Sequence, residues 1–311
     1  MAVSLAQSAL YTQNKLHKGI VEVLIKESPI LARLPFADIV GNALAINREN
    51  PDAPPSVEWR AVNGVWTEST GDITPATAAL KILGGDADVD NFLKKTRSNV
   101  NDLMAVQVKM KTKQMAHEFE DCFVYGVASG SNQFDGLHTL LASLTGQQVH
   151  AGSSTTGAPV TTGMMDELFD AILGGSPDMI VMNKKIRRRL SQYLRTVGSY
   201  RTERDDWGKY WMMWQDVPIL TSDFLVQTET INSSAYEAKT GGACSSIFAV
   251  RFGEGDGLIG IENGGITTEV WEKLEVKDAS RTRIKWYVGT ALYSQLSIAR
   301  IDGVTDAPVV A

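Results

Sequence analysis

The order of three segments in the first half constrains this chain more than any single residue does. A polar, proline-rich segment with hairpin signals spans Pro51 to Ala78, and an uninterrupted helix-forming stretch without Gly or Pro spans Asp86 to Tyr125. That stretch stops at Tyr125-Gly126, and a short loop leads to Phe134-Asp135-Gly136-Leu137. An extended hairpin and one very long helix do not close a core by themselves. The order therefore predicts a chain whose packing is completed by other copies of itself.

Composition places the chain among folded proteins. With 311 residues, a 43% hydrophobic fraction and a 21% charged fraction, it can form two or three domains and is not a disordered chain. No run of eighteen apolar residues occurs, so no membrane span is predicted. The opening residues, Met1 to Leu5, lack the basic start of a secretion signal, and we expect folding in the cytoplasm.

Charge and cysteine content argue against two further classes. The net charge of −6 and the pI of about 5.3 disfavour a dedicated nucleic-acid binder, which normally carries a basic excess. Cys122 and Cys244 lie far apart in the sequence. We predict two reduced, buried thiols and neither a disulfide nor a metal site.

The first 47 residues contain an amphipathic stretch that Pro29 and Pro35 interrupt. Two interpretations stay open for this segment: an arm with short helical turns lying on another surface, and the first helix of an ordinary core. The apolar residues that recur near helical spacing are Ile20, Val23, Leu24, Ile30 and Leu31.

The proline-rich segment has the pattern of a hairpin. Val57 to Val62 alternates apolar and polar residues, Asn63-Gly64 is a turn signal, and Val65 to Glu68 is the predicted partner strand. Such a hairpin is unstable alone because it carries few apolar residues besides its tryptophans. We expect it to pack on another copy in preference to another part of the same chain. The candidate contacts between subunits are Trp59, Arg60, Trp66 and Glu68.

A long helix is predicted next. Gly84-Gly85 breaks the chain before it, Ser98 or Asn99 caps it, and Asp102 lies in its first turn, where the helix dipole favours a carboxylate. From Asn99 to Tyr125 the helix would extend roughly 40 Å. Its apolar stripe recurs at three- and four-residue intervals and consists of Val100, Leu103, Met104, Val108, Met115, Phe119 and Cys122.

A compact mixed domain is predicted after a Thr-, Ser- and Gly-rich loop over 145–165. The pattern indicates a helix at Met164–Leu173, a buried strand at Asp178–Met182, and a helix at Lys184–Val197 capped by Asn183. Gly241-Gly242 marks a turn. Two further apolar runs are Val217–Leu220 and Ile247–Val250.

Two long alternating segments close the chain, Ile266–Trp271 and Arg283–Val288, with a charged turn around Lys277–Ser280 between them. We predict that they form a sheet beneath the long helix. That pairing builds one domain from pieces distant in sequence, so the mixed domain would be an insertion.

No group of residues predicts catalysis, and we expect no enzyme, no cofactor and no metal. The loop Gly253–Gly257 with Gly260 is acidic, lacks the Lys-Ser/Thr ending of a phosphate loop, and is predicted to be a structural turn. Asp205-Asp206 are neighbours on the chain and are predicted to be surface charge. The histidines have no spacing that suits a metal: His17, His117, His138 and His150.

One basic and one aromatic cluster lie in the mixed domain. Lys184 to Arg189 spreads its charges over more than one helix face, which favours a solvated helix with salt-bridged neighbours over a nucleic-acid patch. Arg187 and Arg188 are further candidates for contact between subunits. The Trp-, Tyr- and Met-rich segment Trp207–Trp214 is predicted to be core or subunit contact and not a base-stacking platform.

Taken in order, these segments resemble the major capsid proteins of tailed double-stranded DNA bacteriophages with the Hong Kong 97-type capsid fold. The resemblance covers almost the whole chain. It includes the arm, the hairpin and the inserted domain. The short motifs that carry it are Phe119-Glu120-Asp121-Cys122-Phe123-Val124-Tyr125-Gly126, Phe134-Asp135-Gly136-Leu137 and Ile284-Lys285-Trp286-Tyr287-Val288-Gly289.

The resemblance implies an α+β architecture in which an axial domain is inserted into a peripheral domain. The peripheral domain would carry a long β-sheet and a long spine helix near 98–126. The implied parts are an N-terminal arm over 1–50, an extended hairpin (the E-loop) over 51–83, a peripheral domain over 84–150 and 263–296, and an axial domain over 151–262 and 297–311.

The resemblance also implies pentamers and hexamers that close into an icosahedral shell around packaged DNA, in a virion assembled in the host bacterial cytoplasm. The implied partners are copies of the chain, a portal, a decoration protein and non-specifically contacted DNA. The arm is short, so we expect a separate scaffolding protein or no such segment. Some members crosslink a hairpin Lys to a neighbour's Asn; no Lys lies between Pro51 and Ala78, so none is expected here.

Two alternatives remain. An encapsulin, a cellular nanocompartment with the same fold, would hold a cargo enzyme instead of a genome, although the Asn-, Thr- and Trp-bearing hairpin and the arm favour the phage shell. A soluble enzyme would use the acidic glycine loop or Asp205-Asp206. It lacks a converging nucleophile, base and oxyanion donor.

Overall fold

The computed structural model describes residues 30–31, 33–49, 54–97, 103–152, 156–204, 210–230 and 239–310. Most of the predicted N-terminal arm lies outside these residues. The same holds for the predicted helix cap at Ser98 or Asn99, for Asp102, and for Asp205-Asp206.

Within the described residues the chain combines helices with runs of mainly antiparallel strands, which confirms the α+β class. The strands are β1 Phe36–Asp38, β2 Ala43–Glu49, β3 Ile73–Ala79, β4 Lys81–Asp90, β5 Gln148–His150, β6 Met179–Met182, β7 Thr202–Arg204, β8 Tyr210–Trp214, β9 Val217–Thr221, β10 Cys244–Val250, β11 Leu258–Trp271, β12 Ala279–Leu292 and β13 Ile298–Thr305. The α-helices are α1 Asn91–Arg97, α2 Leu103–Tyr125, α3 Leu137–Leu141, α4 Thr162–Asp170 and α5 Lys184–Val197.

A four-stranded sheet, in the order β1-β11-β12-β4, lies against the long helix α2. Its central pair, β11 and β12, is antiparallel, with Ile266 opposite Trp286 and Val270 opposite Thr282. This confirms the predicted pairing of the two long C-terminal strands beneath the helix. Phe119 of α2 meets Trp286 of β12 with ring centroids 5.2 Å apart, so aromatic packing fixes the helix on the sheet.

The predicted break at Gly84-Gly85 is wrong, as is the helix-forming stretch from Asp86, because β4 runs through both. Its second half alternates, with Ala87 and Val89 buried on one face. Asp86 and Asp88 point the other way and bind Arg283 and Arg281 of β12, with Nε–Oδ1 distances of 2.7 and 2.6 Å. The alternation of buried and charged residues in β4, together with the ion pairs to β12, outweighs the local preference of this segment for a helix.

A seven-stranded sheet, in the order β5-β13-β10-β6-β9-β8-β7, forms the second layer. All four residues of β6 are buried, which confirms the predicted buried strand. Ile180 and Met182 pack in one cluster with α4 and α5, whereas Met179 and Val181 pack in the cluster that contains the end of α2. The sheet is therefore covered on both faces, as a continuous apolar run requires.

Helix α5 begins at the N-cap that the sequence predicts and ends at a glycine. The Asn183 side chain accepts a hydrogen bond from the Lys185 amide at 2.8 Å, which confirms the predicted N-cap. Gly198 ends the helix with φ at +77°, a conformation that glycine adopts at no steric cost. The helix is amphipathic, with Ile186, Leu190 and Leu194 buried at its core face.

Both cysteines are free and buried, as predicted. Burial raises the pKa of the Cys122 thiol to about 12. A thiol that stays protonated is a poor nucleophile and a poor metal ligand. The two side chains therefore act as small apolar core groups.

The predicted domain boundaries differ from the structural elements in three places. Strand β2 pairs along its full length with β3, so the ribbon begins within the region assigned to the arm. The predicted boundary between 262 and 263 falls inside β11, which joins the four-stranded sheet from Leu258 onward. Strand β5 belongs to the seven-stranded sheet, although it was assigned to the peripheral domain. The division into peripheral and axial domains itself stays a prediction.

We predict that Gly84→Ala destabilises the chain by about 1–3 kcal/mol, the usual cost of overpacking. A Cβ at this position would clash with the backbone carbonyl of Ile284 on the neighbouring strand. Gly146→Ala is the matched control, since an added Cβ there meets nothing within 4 Å. Urea unfolding of the unassembled chain measures both, and equal stability of the two variants would contradict the expectation.

A second prediction concerns the Asp88–Arg281 pair. The hydrogen bond from Arg281 lowers the pKa of Asp88, so the pair stabilises the fold above the unfolded aspartate pKa of about 3.9. That stabilisation is lost as the pH falls through the lower pKa of the folded state. Asp88→Asn should therefore lower the stability at neutral pH, and progressively less on acidification below about pH 4.

Thermal melts at several pH values test the Asp88 prediction. The exposed carboxylate variant Glu272→Gln serves as control because it removes a negative charge from the end of the same sheet without breaking a bidentate pair. A stability difference between wild type and Asp88→Asn that stays constant down to low pH would contradict the linkage.

Candidate functional site

A two-stranded ribbon carries the candidate contact residues away from the sheets. Strands β2 and β3 pair antiparallel from Ala43 opposite Ala79 to Glu49 opposite Ile73. Beyond them lie residues 54–72, called here the ribbon tip. The tip turns at Asn63, which has φ at +65°, and the Gly64 amide donates to the Ala61 carbonyl at 3.0 Å. The predicted turn is confirmed.

The two predicted strands of the tip, Val57–Val62 and Val65–Glu68, are wrong. Among the described residues of the tip no backbone ladder joins the two legs. Side chains hold them instead: the Ser56 and Ser69 hydroxyl oxygens are 2.9 Å apart, and the Ser56 amide donates to Ser69 Oγ at 2.7 Å. No third strand or helix of the described residues covers the tip, and an isolated pair of strands gains little from a ladder.

The tip exposes a row of large apolar side chains. Trp59 is 104% exposed relative to a fully accessible residue, and Trp66 is 61% exposed. Val57, Val62 and Val65 are each more than 90% exposed. Single exposed apolar residues are ordinary, but a contiguous set is typical of a surface that another molecule covers.

Contacts within the tip hold its shape without a core. The Arg60 guanidinium carbon lies 4.2 Å from the Trp66 ring centroid, a cation–π distance. Arg60 Nη1 also donates to the Gly64 carbonyl at 3.1 Å, and Trp66 Nε1 donates to the Glu58 carbonyl at 3.3 Å. Glu68 is exposed on the returning leg. The structure therefore brings Arg60 and Trp66 together and leaves Trp59 uncovered.

The root of the ribbon is fastened to the body. Arg48 Nε donates to the carbonyl of Leu292, the last residue of β12, at 3.0 Å, and Nη2 donates to the same oxygen. Burial lowers the pKa of Arg48, but an arginine keeps its charge at any ordinary pH. Ile46 is buried beside Ile259 and Ile261 of β11. The tip therefore projects from a fixed base.

The second pair of candidates lies on a different element, helix α5. Arg189 Nε and Arg188 Nη2 bind Asp306 at 2.7 and 3.3 Å. The hydrogen bond from Arg189 lowers the pKa of Asp306. Arg187 is exposed. These contacts match a solvated helix with salt-bridged neighbours, which was the favoured interpretation.

The acidic glycine loop is a structural turn, as predicted. The Gly257 amide donates to the Gly253 carbonyl at 3.0 Å, and the Asp256 carboxylate accepts from Arg251 at 2.6 Å. Within the described part of the chain, no three His, Cys, Asp or Glu side chains are placed to hold a metal ion. Nor does any helix there combine the length and apolar character needed to cross a membrane.

A buried polar cluster was not predicted at all. It is formed by Tyr125, His138, Glu229, Ser246 and Arg300, none of which is more than 3% exposed. Burial, with the nearby Glu229 carboxylate, raises the pKa of Tyr125, and burial lowers the pKa of Arg300. The members are far apart in sequence, so no spacing motif announces them. The sequence signal for this cluster is limited to polar residues that occur within apolar segments.

Comparison with known families identifies the chain. A model of the SU10 major capsid protein family matches residues 62–225, more than half of the 311 residues. The chain belongs to this family. The matched region of the SU10-type capsid protein includes the ribbon tip from Val62 onward, the long helix, and the mixed domain as far as Leu225. No curated protein sequence matches the chain.

Solved structures share the fold at low sequence identity. The SrpI encapsulin of Synechococcus elongatus PCC 7942 superposes with a TM-score of 0.72 at 15% identity, over 100% of this chain and 99% of that one. The capsid of a native GTA particle gives 0.64 at 15% identity, over 98% and 99%. Mycobacterium phage Bobi gives 0.63 at 11% identity, over 97% and 99%. The SU10-type protein thus has the Hong Kong 97-type fold of tailed-phage capsids.

The exposure of two tryptophans predicts losses of stability of very different size. Trp59→Ala should change the free energy of unfolding of the unassembled chain by less than about 0.5 kcal/mol, because Trp59 contacts solvent. Trp286→Ala should cost about 3–5 kcal/mol, because Trp286 is 5% exposed and donates to Glu262 at 2.8 Å. Denaturant unfolding measures both. A large loss for Trp59→Ala would mean that the tip folds back on its own subunit.

Proposed function

We propose that this major capsid protein assembles as pentamers and hexamers into a closed icosahedral shell around packaged double-stranded DNA. The observation that carries the proposal is the uncovered apolar ribbon tip on a fastened root. A contact that joins the tip of one subunit to a different patch on the next is heterologous, and repeated heterologous contacts close into rings.

The composition of the tip suits a subunit interface. Tryptophan and arginine are enriched among the residues that dominate binding energy, and the tip holds Trp59, Trp66 and Arg60 close together. Each tryptophan adds a large apolar area when a neighbour covers it. Glu68 adds a charge to the rim, and Arg187 and Arg188 offer a second candidate contact on α5.

Two further facts support the shell geometry. The matched family is defined by a major capsid protein. The related GTA capsid was determined with C5 symmetry, which a ring of five subunits has. By analogy the SU10-type chain would occupy a virion and assemble in the host cytoplasm with a portal, a separate scaffolding protein and a decoration protein. It would act without catalysis.

DNA contact would be non-specific. The net charge of −6 disfavours tight phosphate binding over the whole surface. An inner wall with weak affinity for phosphate would let the DNA slide during packaging. The basic residues of α5 that do not pair with Asp306 would attract the DNA only locally.

An encapsulin-type shell is the second candidate function. The observation in its favour is the full-length superposition on the SrpI encapsulin, at a TM-score of 0.72. Native particles distinguish the two. Nuclease-protected DNA inside them would favour the phage shell, whereas a protein cargo without DNA would favour the encapsulin.

Assembly tests the role of the tip. We predict that the double variant Trp59→Ala with Trp66→Ala lowers the yield of shells at least tenfold, because the loss of two interface anchors costs about 1.4 kcal/mol or more per contact. Particles are counted by electron microscopy and sedimentation, with scaffolding protein supplied. The matched control, Trp59→Phe with Trp66→Phe, keeps an aromatic ring at each position and should retain most assembly.

Two results would count against this role. One is normal shells from the alanine variant, which would move the essential contact elsewhere. The other is unfolding of that variant, since the tip contributes no core. If wild-type chain with scaffold yields only dispersed monomers, the proposed shell itself is wrong.

A further inference from the structure

The buried polar cluster lies where the long helix meets the seven-stranded sheet. Tyr125 is the last residue of α2 and His138 lies on α3. Ser246 and Arg300 lie on β10 and β13, and Glu229 forms an isolated bridge with Cys244 of β10. One connected set of side chains therefore joins both helices to the sheet.

The contacts fix the proton positions on His138. Arginine only donates hydrogen bonds, so His138 Nδ1, 2.9 Å from Arg300 Nη1, accepts one. The ring hydrogen is then on Nε2, which donates to Glu229 Oε1 at 3.1 Å. Glu229 also accepts from the Tyr125 hydroxyl and, at 2.6 Å, from Ser246 Oγ. The arrangement requires a neutral imidazole.

The other groups around the ring are identified by their contacts. The Tyr125 ring stacks on the imidazole at 4.8 Å, and Phe248 meets it edge-on at 5.0 Å. Lys239 lies over the Tyr125 ring and pairs with Asp121 of α2. On the Arg300 side, Nη2 donates to Gln148 at 2.7 Å and lies 3.7 Å from Asp302, which also faces the half-exposed His150 at 3.7 Å.

A second proton on His138 would oppose this arrangement. It would turn Nδ1 from an acceptor into a donor that points at the Arg300 guanidinium. The attraction of Glu229 at 3.1 Å and the repulsion of Arg300 at 2.9 Å nearly cancel. What remains is the lost hydrogen bond and the cost of burying a further charge. Arg300 tolerates that loss poorly, because its buried Nε already has no hydrogen-bond partner among the described residues.

We propose that His138 is a proton-sensitive latch that holds the end of α2 and helix α3 on the seven-stranded sheet. Protonation at Nδ1 displaces Arg300, and the helix end then separates from the sheet more readily. The latch acts inside one subunit. It goes beyond the proposed shell function and does not depend on it.

Hydrogen exchange of the unassembled full-length chain tests the latch. Exchange is followed by mass spectrometry between about pH 8 and about pH 5, on either side of the ordinary histidine pKa of about 6.5, with correction for intrinsic rates. Peptides that cover residues 119–126, 137–142 and 298–302 report on the cluster. In wild type their opening should increase at least about tenfold on acidification, relative to peptides of the four-stranded sheet.

Two variants isolate the group that responds. His138→Gln supplies an acceptor and a donor but cannot take up a proton, so its cluster peptides should show little acid response. His150→Gln is the matched control. His150 faces Asp302, and its protonation would add an attractive pair, so its removal should leave the acid response in place or strengthen it.

Equal acid responses in wild type and His138→Gln would overturn the proposal, because carboxylates would then be the groups that titrate. Absence of any acid response in wild type would also overturn it. If His138→Gln fails to fold, the imidazole ¹⁵N resonances of wild-type His138 decide. Imidazole ¹⁵N resonances of His138 should show the neutral Nε2–H form near pH 8. A doubly protonated ring at that pH would contradict the latch.

Discussion

Burial of the C-terminal half of the long helix between two sheets is the constraint on which the rest of this structure depends. Phe119 lies 5.2 Å from Trp286 and 5.4 Å from Phe134, measured between ring centroids. The same core cluster includes Met179, Val181 and Phe248 from the seven-stranded sheet. This one cluster contains residues of α2, of the four-stranded sheet and of the seven-stranded sheet. The helix therefore sets the position of both sheets. The aromatic residues at the helix end are therefore the ones that least tolerate change.

The sequence predicted the secondary structure correctly where a short local pattern alone determines the element. The apolar run at β6, the cap at Asn183 and the alternation in β11 and β12 each predicted the element that forms. The family resemblance then supplied the fold, which the SU10 match supports over more than half of the chain.

Where a distant partner decides the outcome, sequence did not suffice. Strand β4 pairs with β12, and its aspartates bind Arg281 and Arg283, although its two glycines suggested a break and the absence of Gly and Pro after Asp86 suggested a helix. The ribbon tip has strand-like alternation without a ladder, since nothing within the described chain covers it. His138, Glu229 and Arg300 converge from three separate segments, so no local spacing could predict their contact.

The ribbon is held to the body at its root, and its tip projects from that root. The two legs of the tip have no ladder to share a load, so a pull on the tip passes to β2 and to the Arg48–Leu292 contact. Leu292 ends β12 opposite Leu258 of β11, whereas β4 pairs with β12 only from Ala279 to Val288. A load on Arg48 therefore reaches β12 at its end, where β11 receives it first and β4 shares it only from Val288 back toward Ala279.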